Sequence, residues 1–516
     1  MTDLSQLADP QDYGNAPGDG PLRPKGQAPG ETLTKSDLPS TRSKAADVQQ
    51  SAVDLVRTLW AGNEAVRAKG RVLLPSGPGE ESPEYTQRLN MSVFFNMFRR
   101  TVEGLVGLIF RKDPKLGDDV PVVIAEHWEN IDMEGTHGDV FCREIATDAL
   151  TVGHAVILVE YPNTAGEHGR EAEITGEIRP YWVPIHKEDI MSWRTVKENG
   201  ARILTQLVIR EKTMVSEGRF GERSQTQYRV LYRENGVVGW ELLEVSKDNA
   251  IISVDEGLYP TQDEVPVSEI CSSGSKSLFE SDPPLIDLAY LNIAHYQAWS
   301  DYAYSIHMAN VPILFGKGIP EARNPDGTPT GPVVVGANAA FLTQAPDADM
   351  KYVSHDGAAL GASKQNLDDL KADIGTLGLA MLSPQKRVAE TAEAKRLDKS
   401  TSDSALSVTA RALQDGVENA LKFHGRYLRG QPEGGSIEIN RDFEGLLLEA
   451  DVMNAFSQLV KVGMPPEPVV RALIAGGRLP EDTDVDTFVM EWMMGQALNE
   501  QIPPPEPEEP EIEEIE

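Results

Sequence analysis

The apolar pattern of the chain is strongest between Leu288 and Phe315, where the sequence reads LAYLNIAHYQAWSDYAYSIHMANVPILF. Helical spacing extends from about Leu285 to Met308, which predicts a rod of about 36 Å at ~1.5 Å per residue. Pro283 and Pro284 suit the first turn of this helix, and Pro312 ends it. Its apolar surface is wider than the ~100° stripe of an ordinary surface helix. The helix is either buried inside one chain, which periodicity alone favours, or packed between like helices of neighbouring subunits.

The N-terminal half of the chain mixes helical and strand patterns. Apolar residues recur at helical spacing over Val48–Arg67, Glu84–Phe110 and Val140–Leu150. A buried-strand run, AVILVEY, follows Gly153. Residues from Ile203 to Val245 are typical of β-strands, with a hairpin that turns at Asn235 and Gly236.

The C-terminal half contains further helices. Residues 310–356 are punctuated by glycine and proline and fit a compact βαβ-like insert. A helix is predicted over Ser363–Leu382, and after Pro384 a second helix is predicted to continue from Val388 to Leu428. SIEIN predicts a strand, and residues 443–498 predict three short helices. Residues 1–45 and the acidic tail 499–516 are expected to be disordered. The predicted fold class is α+β and predominantly helical.

Composition narrows the functional classes. The chain has 516 residues, of which 81 are acidic and 48 basic, and its formal charge is −33. Such a surface repels nucleic acid, so a simple DNA-binding module is disfavoured. The two cysteines, Cys142 and Cys271, fit a reducing compartment. The N-terminus has no secretory leader, and no apolar run reaches the ~18 residues that a membrane helix needs.

Motifs for catalysis or metal binding are absent from the sequence. It contains no Walker A loop, H-E-x-x-H, C-x-x-C or G-x-S-x-G. The nine histidines are scattered and none pairs with another at metal-ligand spacing. Carboxylates occur everywhere, so no catalytic pair stands out. The sequence therefore predicts neither an enzyme nor a metal or cofactor.

The order of the elements resembles the portal (head–tail connector) proteins of tailed bacteriophages over about residues 50–495. EYTQRLNMSVFFNMFRRTVEGLVGLIFRKDP looks like their early wing helix, and ALTVGHAVILVEYP looks like the helix–strand step that follows. PPLIDLAYLNIAHYQAWSDYAYSIHMANVPILFGKG is similar to the entry into their stem. GLAMLSPQKRVAETAEAKR occupies the place of the tunnel loop, and KVGMPPEPVVRALIAGGRLPEDTD looks like a crown.

This resemblance implies a ring, usually of twelve subunits, at one vertex of a virion capsid, assembled in the host bacterial cytoplasm. The implied map is a wing at 46–280, stem helices at 283–309 and 357–379, a clip at 310–356, a tunnel loop at 380–388, a long wing helix and return strand at 388–440, and a crown at 443–498. The implied partners are sister subunits, double-stranded DNA during packaging and ejection, the terminase large subunit, head-completion (adaptor) proteins and the major capsid protein, with no membrane. The N-terminal arm and the tail have no fixed counterpart in the family.

Three sets of candidate site residues follow from the resemblance. The tunnel-loop candidates are Met381, Leu382, Ser383, Pro384, Gln385, Lys386 and Arg387. The candidates for packing between stem helices of adjacent subunits are Tyr290, Tyr296, Trp299, Tyr302 and Ile306. The clip candidates are Lys317, Arg323 and Lys351. Ordinary core packing and solvated surface charge are the alternatives for all three sets.

The acidity of the chain has a use in such a ring. Twelve copies would carry about −400 formal charges, and DNA with one charge per ~1.7 Å would slide past an acidic wall rather than bind it. Two other classes remain open, another phage structural protein such as a minor capsid or tail component, and a soluble enzyme without a recognisable motif.

Overall fold

The fold is taken from a computed structural model. It describes residues 34–162, 178–272, 277–310, 313–317, 347, 349–353, 358–380, 404–428, 433–441, 443, 467–468, 470–471 and 483–490. Two compact units, residues 1–439 and 440–516, make up the chain. In the second unit, the described helical residues are 467, 468, 470, 471 and 485–490. The predictions for residues 1–33, for the middle of the insert, for the tunnel loop, for the tail and for most of the crown lie outside the described residues.

The described part of the first unit mixes helix and sheet. Its helices are α1 (Lys44–Ala61), α2 (Asn63–Ala68), α3 (Ser82–Met91), α4 (Met97–Ile109), α5 (Val122–Trp128), α6 (Gly138–Val152), α7 (Ile286–Asn310), α8 (Ala358–Ala380) and α9 (Ala405–Tyr427). Its strands are β1 (Lys115–Leu116), β2 (His154–Glu160), β3 (Tyr181–Ile185), β4 (Ile190–Glu198), β5 (Ala201–Glu217), β6 (Gly221–Glu234), β7 (Val237–Val245), β8 (Ile251–Leu258), β9 (Val267–Cys271), β10 (Ile313–Lys317), β11 (Asp349–Val353) and β12 (Ile437–Glu438).

The segment before α1 packs on a sheet. Leu38 is buried in an apolar cluster with Met191 and Val208, and the Ser43 N–H donates to the Met191 carbonyl (2.8 Å). The expectation of disorder up to residue 45 is therefore wrong for residues 34–45. One apolar side chain and one backbone hydrogen bond tie this segment to β4.

Two helices that the sequence predicted as continuous are interrupted. The predicted helix Val48–Arg67 divides into α1 and α2 at Gly62, whose φ of +94° is outside the helical range. The predicted helix Glu84–Phe110 divides into α3 and α4, because residues 92–96 are not helical and the Asn96 side chain caps α4 by accepting the Arg99 N–H (2.9 Å).

Two larger antiparallel sheets lie in the described part of the first unit. The smaller has the strand order β3-β2-β9, and α6 and α9 pack against it. Every residue of β2 is buried, which confirms the predicted strand AVILVEY. The larger sheet is a meander of β4 to β8. Its predicted hairpin is confirmed, since Asn235 and Gly236 have the positive φ values (51° and 83°) of a two-residue turn.

The predicted long helix Val388–Leu428 does not extend through Ser404. Ser404 has extended backbone angles and its side chain accepts the Ser407 N–H, so α9 begins at residue 405. Residues 381–403 lie outside the described residues. The predicted strand at SIEIN is present as β12, which pairs with β1.

Candidate functional site

The predicted long helix is present as α7, and it forms an arm with β10, β11 and α8. We call residues 286–310, 313–317, 349–353 and 358–380 the arm. Helix α7 has 25 residues, which corresponds to about 38 Å at ~1.5 Å per residue, and α8 has 23. The two helices pack against each other, and β10 pairs with β11 in antiparallel fashion.

The base of the arm is fixed by a buried polar junction. The Lys187 ammonium donates to the Ser281 carbonyl (2.6 Å) and to the Val152 carbonyl (3.1 Å). The His154 Nδ1 lies 3.0 Å from the Ser281 Oγ. Burial, together with the Lys187 charge, keeps the pKa of His154 well below its usual value, so its ring is neutral. Gly153 is required here, since an added Cβ would lie 2.5 Å from the Asp282 carbonyl oxygen.

Farther along α7, Asn292 connects the arm to the break between α3 and α4. Its Oδ1 accepts the Phe98 N–H (3.0 Å) and its Nδ2 donates to the Phe95 carbonyl (2.9 Å). Phe98 lies in the first turn of α4, where backbone N–H groups have no partner inside the helix. A side chain of α7 therefore caps a helix of the body.

A charged cluster forms a second connection. The Arg88 guanidinium binds both carboxylate oxygens of Glu80 (2.7 and 2.8 Å) and donates to the Ser300 Oγ (3.2 Å). The Ser92 hydroxyl also reaches the Ser300 Oγ (2.7 Å). Hydrogen bonding to Arg88 lowers the pKa of Glu80 to about 2, so the pair remains ionised at neutral pH. These contacts hold the middle of α7 on α3.

The two helices of the arm and its strand pair share one register. A Cβ on Gly378 would lie 3.9 Å from the Leu288 Cδ1. Burial lowers the pKa of His295, and the nearby Lys371 charge lowers it further. Strand pairing runs from Ile313 opposite Val353 to Lys317 opposite Asp349. In each of these pairs the two residue numbers add to the same total, so the described helices and strands of the arm follow one antiparallel register.

Helix α8 has a narrow apolar seam. Six of its buried or half-buried residues recur at alternating spacings of three and four, and they are Leu360, Ser363, Leu367, Leu370, Ile374 and Leu377. Gly378 is also buried. Most other described side chains of this helix are exposed, among them Lys364, Asp368 and Asp373. A seam repeating every seven residues is typical of a coiled-coil contact, here with α7.

The predicted packing residues on α7 divide into three groups. Tyr290 is 58% exposed, whereas Trp299, Tyr302 and Ile306 are half-buried. Tyr296 is completely buried and its ring meets Phe94 edge-to-face at 5.9 Å. The assignment of Tyr296 to inter-subunit packing is therefore wrong, because the body of its own chain covers it. The other four residues remain predictions.

The clip candidates that can be placed lie together at the far end of the arm. Lys317 and Lys351 are both exposed, and Lys351 lies opposite Phe315 in the strand pair. Side chains at opposite positions and two residues apart share a face, so these three residues form one face of the strand pair. Arg323 and the tunnel-loop candidates at 381–387 lie outside the described residues.

The structure brings together two histidines that are 297 positions apart. The His127 Nδ1 lies 2.9 Å from the His424 Nε2. Burial and the nearby Arg179 lower the pKa of His127 to about 4, so this pair is neutral at physiological pH. Among the described residues, no group of three or more His, Cys, Asp or Glu side chains could hold a metal ion. None of the described helices is both long and apolar enough to span a membrane.

Comparisons with known proteins give limited matches. A family profile described as a domain of unknown function (DUF4055) matches residues 284–428, which extend from the start of the arm to the end of α9. No curated protein matches the chain.

Three solved structures are similar to the chain at low identity. One, described as the virion of a native gene transfer agent (GTA) particle, is 12% identical, covers 78% of this chain and 98% of its own, and has a TM-score of 0.35. A chain in the neck of the empty GTA particle computed with C6 symmetry is 14% identical. The match covers 76% of this chain and 93% of the neck chain, with a TM-score of 0.34. A chain in the neck of the native GTA particle computed with C12 symmetry is 12% identical. The match again covers 76% of this chain and 93% of the neck chain, and its TM-score is also 0.34. Scores of this size do not establish a shared overall fold.

Proposed function

We propose that the protein is a subunit of a portal-type ring at one vertex of a phage-like capsid. Double-stranded DNA passes through the centre of the ring during packaging and ejection. The arm supplies the stem and the clip, and the α/β body supplies the wing. The proposal rests on the residues of this chain and on the resemblance that they show to portal proteins.

The arm is the observation that carries the proposal. Its two helices and its strand pair follow one register, and they connect to the body at three levels, through Ser281 just before the arm and through Asn292 and Ser300 within it. A stem that leads to a clip needs this construction, because a hairpin attached at a single point would pivot. Between its attachments the arm leaves Tyr290 exposed, and that side chain is available to a neighbouring copy.

The charge of α7 suits a wall beside moving DNA. The helix contains no lysine or arginine, and its exposed face carries Asp287 and Asp301. A phosphate backbone gains no ion pair from such a surface and releases no counterions on contact with it. Basic contacts would be confined to the loop after α8, where Lys386 and Arg387 are the candidates.

The far end of the arm would dock the packaging motor and, later, head-completion proteins. Phe315 is 49% exposed there and is flanked by Lys317 and Lys351. An exposed aromatic ring beside basic side chains is a common anchor in protein interfaces.

Packaging tests the proposal. Charge reversal of the two basic loop candidates, Lys386→Glu with Arg387→Glu, should leave rings intact and reduce the DNA that is packaged or retained per capsid. The matched control is Lys44→Glu with Lys364→Glu, at exposed positions of α1 and α8, which should affect packaging less. Normal packaging by the loop variant would show that these residues do not contact DNA. Packaging without this protein would refute the proposed function.

The contact between Ser281 and His154 bears on whether the protein is an enzyme, because it places a serine hydroxyl beside a histidine ring. Ser281 is 3% exposed and His154 is 1% exposed, so a substrate cannot reach either atom. The serine carbonyl and hydroxyl are both used to hold the base of the arm. We expect purified protein to hydrolyse no nucleotide, because the motor activity would belong to the terminase.

A further inference from the structure

A small cavity lies at the base of the arm, beside the junction of Lys187, His154 and Ser281. We call it the basal cavity. It lies where α1, β2 and β4 meet the segment before α7, and it has room for about one water-sized ligand. Its polar lining residues are Arg42, Gln49, Gln50, His154 and Lys187.

The hydrogen bond from Ser281 determines which nitrogen of the His154 ring carries the proton. The Ser281 Oγ lies 3.0 Å from the His154 Nδ1 and 3.4 Å from the Lys187 ammonium. An ammonium can only donate, so of these two groups only the His154 Nδ1 can accept the proton of the hydroxyl. A neutral imidazole has one N–H, and here it is therefore on Nε2.

The Nε2–H of His154 is a buried donor that faces the basal cavity. His154 is 1% exposed, and among the described residues none accepts a hydrogen bond from Nε2. His154 lines the cavity, whereas Ser281, on the Nδ1 side of the ring, does not. Because a buried donor without an acceptor is costly, this edge of the ring favours a ligand that accepts a hydrogen bond.

The charge of the lining favours a negatively charged acceptor. Its two charged residues, Arg42 and Lys187, are both basic. The Arg42 guanidinium donates to the Gln50 Oε1 and to the Glu188 carbonyl oxygen, and both of these acceptors are neutral. The Lys187 ammonium donates to two backbone carbonyls, which are neutral as well. These hydrogen bonds hold the two cations in place without cancelling their charge.

Three carboxylates near the basal cavity do not belong to its lining. Asp148 and Glu188 both bind the Arg57 guanidinium. Glu269 interacts with the charge of Lys187, but burial raises the pKa of Glu269 to about 7, so it carries only part of a negative charge at neutral pH. The cavity is therefore bordered by more positive than negative charge.

Aromatic rings form part of the wall of the basal cavity. Trp193 and Phe279 line it, and their rings meet edge-to-face at 5.7 Å. Phe279 has a φ of +60°, a costly conformation for an aromatic residue. The Gln49 side chain holds this segment, since its Nε2 donates to the Phe279 carbonyl (3.2 Å) and its Oε1 accepts the Ser281 N–H (3.2 Å). An apolar wall strengthens the attraction between the two cations and an anion, because it lowers the local dielectric constant.

We propose that the basal cavity binds one small inorganic anion of about the size of chloride. The His154 Nε2–H donates a hydrogen bond to the anion, and Arg42 and Lys187 supply the opposite charge. A monatomic ion fits this space, whereas an organic substrate does not. The bound anion connects α1, β2 and β4 beneath the arm and so stabilises the segment that leads into α7. The site lies within one chain and does not depend on the proposed ring.

Hydrogen exchange of the full-length protein in chloride tests the site. Chloride replaces gluconate, which is too large for the cavity, at constant ionic strength. The Ser281 amide should exchange about tenfold more slowly at about ten times the half-saturating chloride concentration. The Phe98 amide is the internal control for general salt effects and should not respond. An unchanged Ser281 amide, or equal slowing of both amides, would overturn the proposal.

Two substitutions remove the anion contacts separately. His154→Phe keeps a ring but removes the donor, and it should abolish the chloride response. Arg42→Gln removes a half-buried charge, keeps an amide that can donate to the Glu188 carbonyl, and should raise the half-saturating chloride concentration about tenfold. His295→Phe, at a buried histidine outside the lining, is the matched control and should keep the wild-type response. A wild-type response in His154→Phe or in Arg42→Gln would contradict the assigned contacts.

Bromide locates the anion. In crystals of the wild-type protein grown in bromide, an anomalous peak should lie beside the His154 Nε2. Density at this position that is the same in bromide and in gluconate would identify a water, and bromide bound only elsewhere would place the anion outside the cavity. Either result would overturn the proposal. Wild-type protein that forms no ring would refute the proposed function and leave these measurements unaffected.

Discussion

Replacement of Asn292 by leucine should loosen the connection between the arm and the body. The asparagine satisfies the buried Phe98 N–H and the Phe95 carbonyl through one amide group. Leucine has a similar size and can satisfy neither group. A buried polar group that loses its partner costs about 1–3 kcal/mol, and the Phe95 carbonyl is only partly buried. We therefore expect a total loss of about 3 kcal/mol at this junction.

Hydrogen exchange at the Phe98 amide measures this loss directly. A change of 1.4 kcal/mol is a factor of ten in an equilibrium constant, so exchange at this amide should accelerate about 100-fold. Local exchange is preferable to global unfolding, since a chain of 516 residues in two units is not expected to unfold in two states. The matched control is Asn366→Leu on the exposed side of α8, which should change stability by less than about 0.5 kcal/mol. Acceleration of the Phe98 amide by less than about threefold would refute the assigned capping role.

Three further substitutions test other parts of the body. Arg229→Met removes the guanidinium that lies 3.2 Å from the buried Glu160 carboxylate and leaves the Tyr259 hydroxyl as its partner. The loss of local stability, measured by hydrogen exchange in β2, should be about 3 kcal/mol at pH 8. The loss should be smaller at lower pH, because burial raises the pKa of that carboxyl. Burial raises the pKa of Glu269 from 4.5 to about 7, so this group lowers stability as pH rises through that window. Glu269→Gln should slow hydrogen exchange in β9 relative to wild type at pH 8 and leave it unchanged at pH 4. Gly138→Ala would place a Cβ 2.1 Å from the Trp128 ring and should lower the local stability of α6, measured by hydrogen exchange, by about 2 kcal/mol. Unchanged exchange in α6 would show that the ring can move.

Local signals in the sequence predicted much of the secondary structure. The Asn-Gly turn, the buried run of β2 and the prolines before α7 each act through backbone geometry within a few residues. These elements lie where the sequence places them. The ends of α7 and α8 differ from the prediction by a few residues, which is ordinary for helix boundaries.

Features that depend on distant residues were not predicted. The apolar period continues through Ser92 and Asn96, so the break between α3 and α4 is hidden in the sequence. It is stabilised by Asn292, which is about 200 positions away. The His127–His424 contact is likewise produced by the packing of α5 against α9. Asparagine and serine are residue types that favour the N-cap position of a helix. Reading Asn96 and Ser404 as N-caps would have predicted the starts of α4 and α9 correctly.

The burial of Tyr296 shows a limit of periodicity. The resemblance to portal proteins implied that all five aromatic and aliphatic candidates of α7 pack between subunits, and helical spacing could not distinguish the body of the same chain from a sister chain. The structure assigns Tyr296 to the body and leaves Tyr290 exposed. Only the second of these side chains is free to pack between subunits.

The central claim is that copies of this chain form a closed ring with an open centre. Native mass measurement together with negative-stain imaging of the purified, assembled protein tests it most directly. Twelve copies of a 56.5 kDa chain predict a particle of about 680 kDa with a central hole wide enough for a DNA duplex. Protein that remains monomeric or dimeric after capsid assembly, or particles without a hole, would contradict the account.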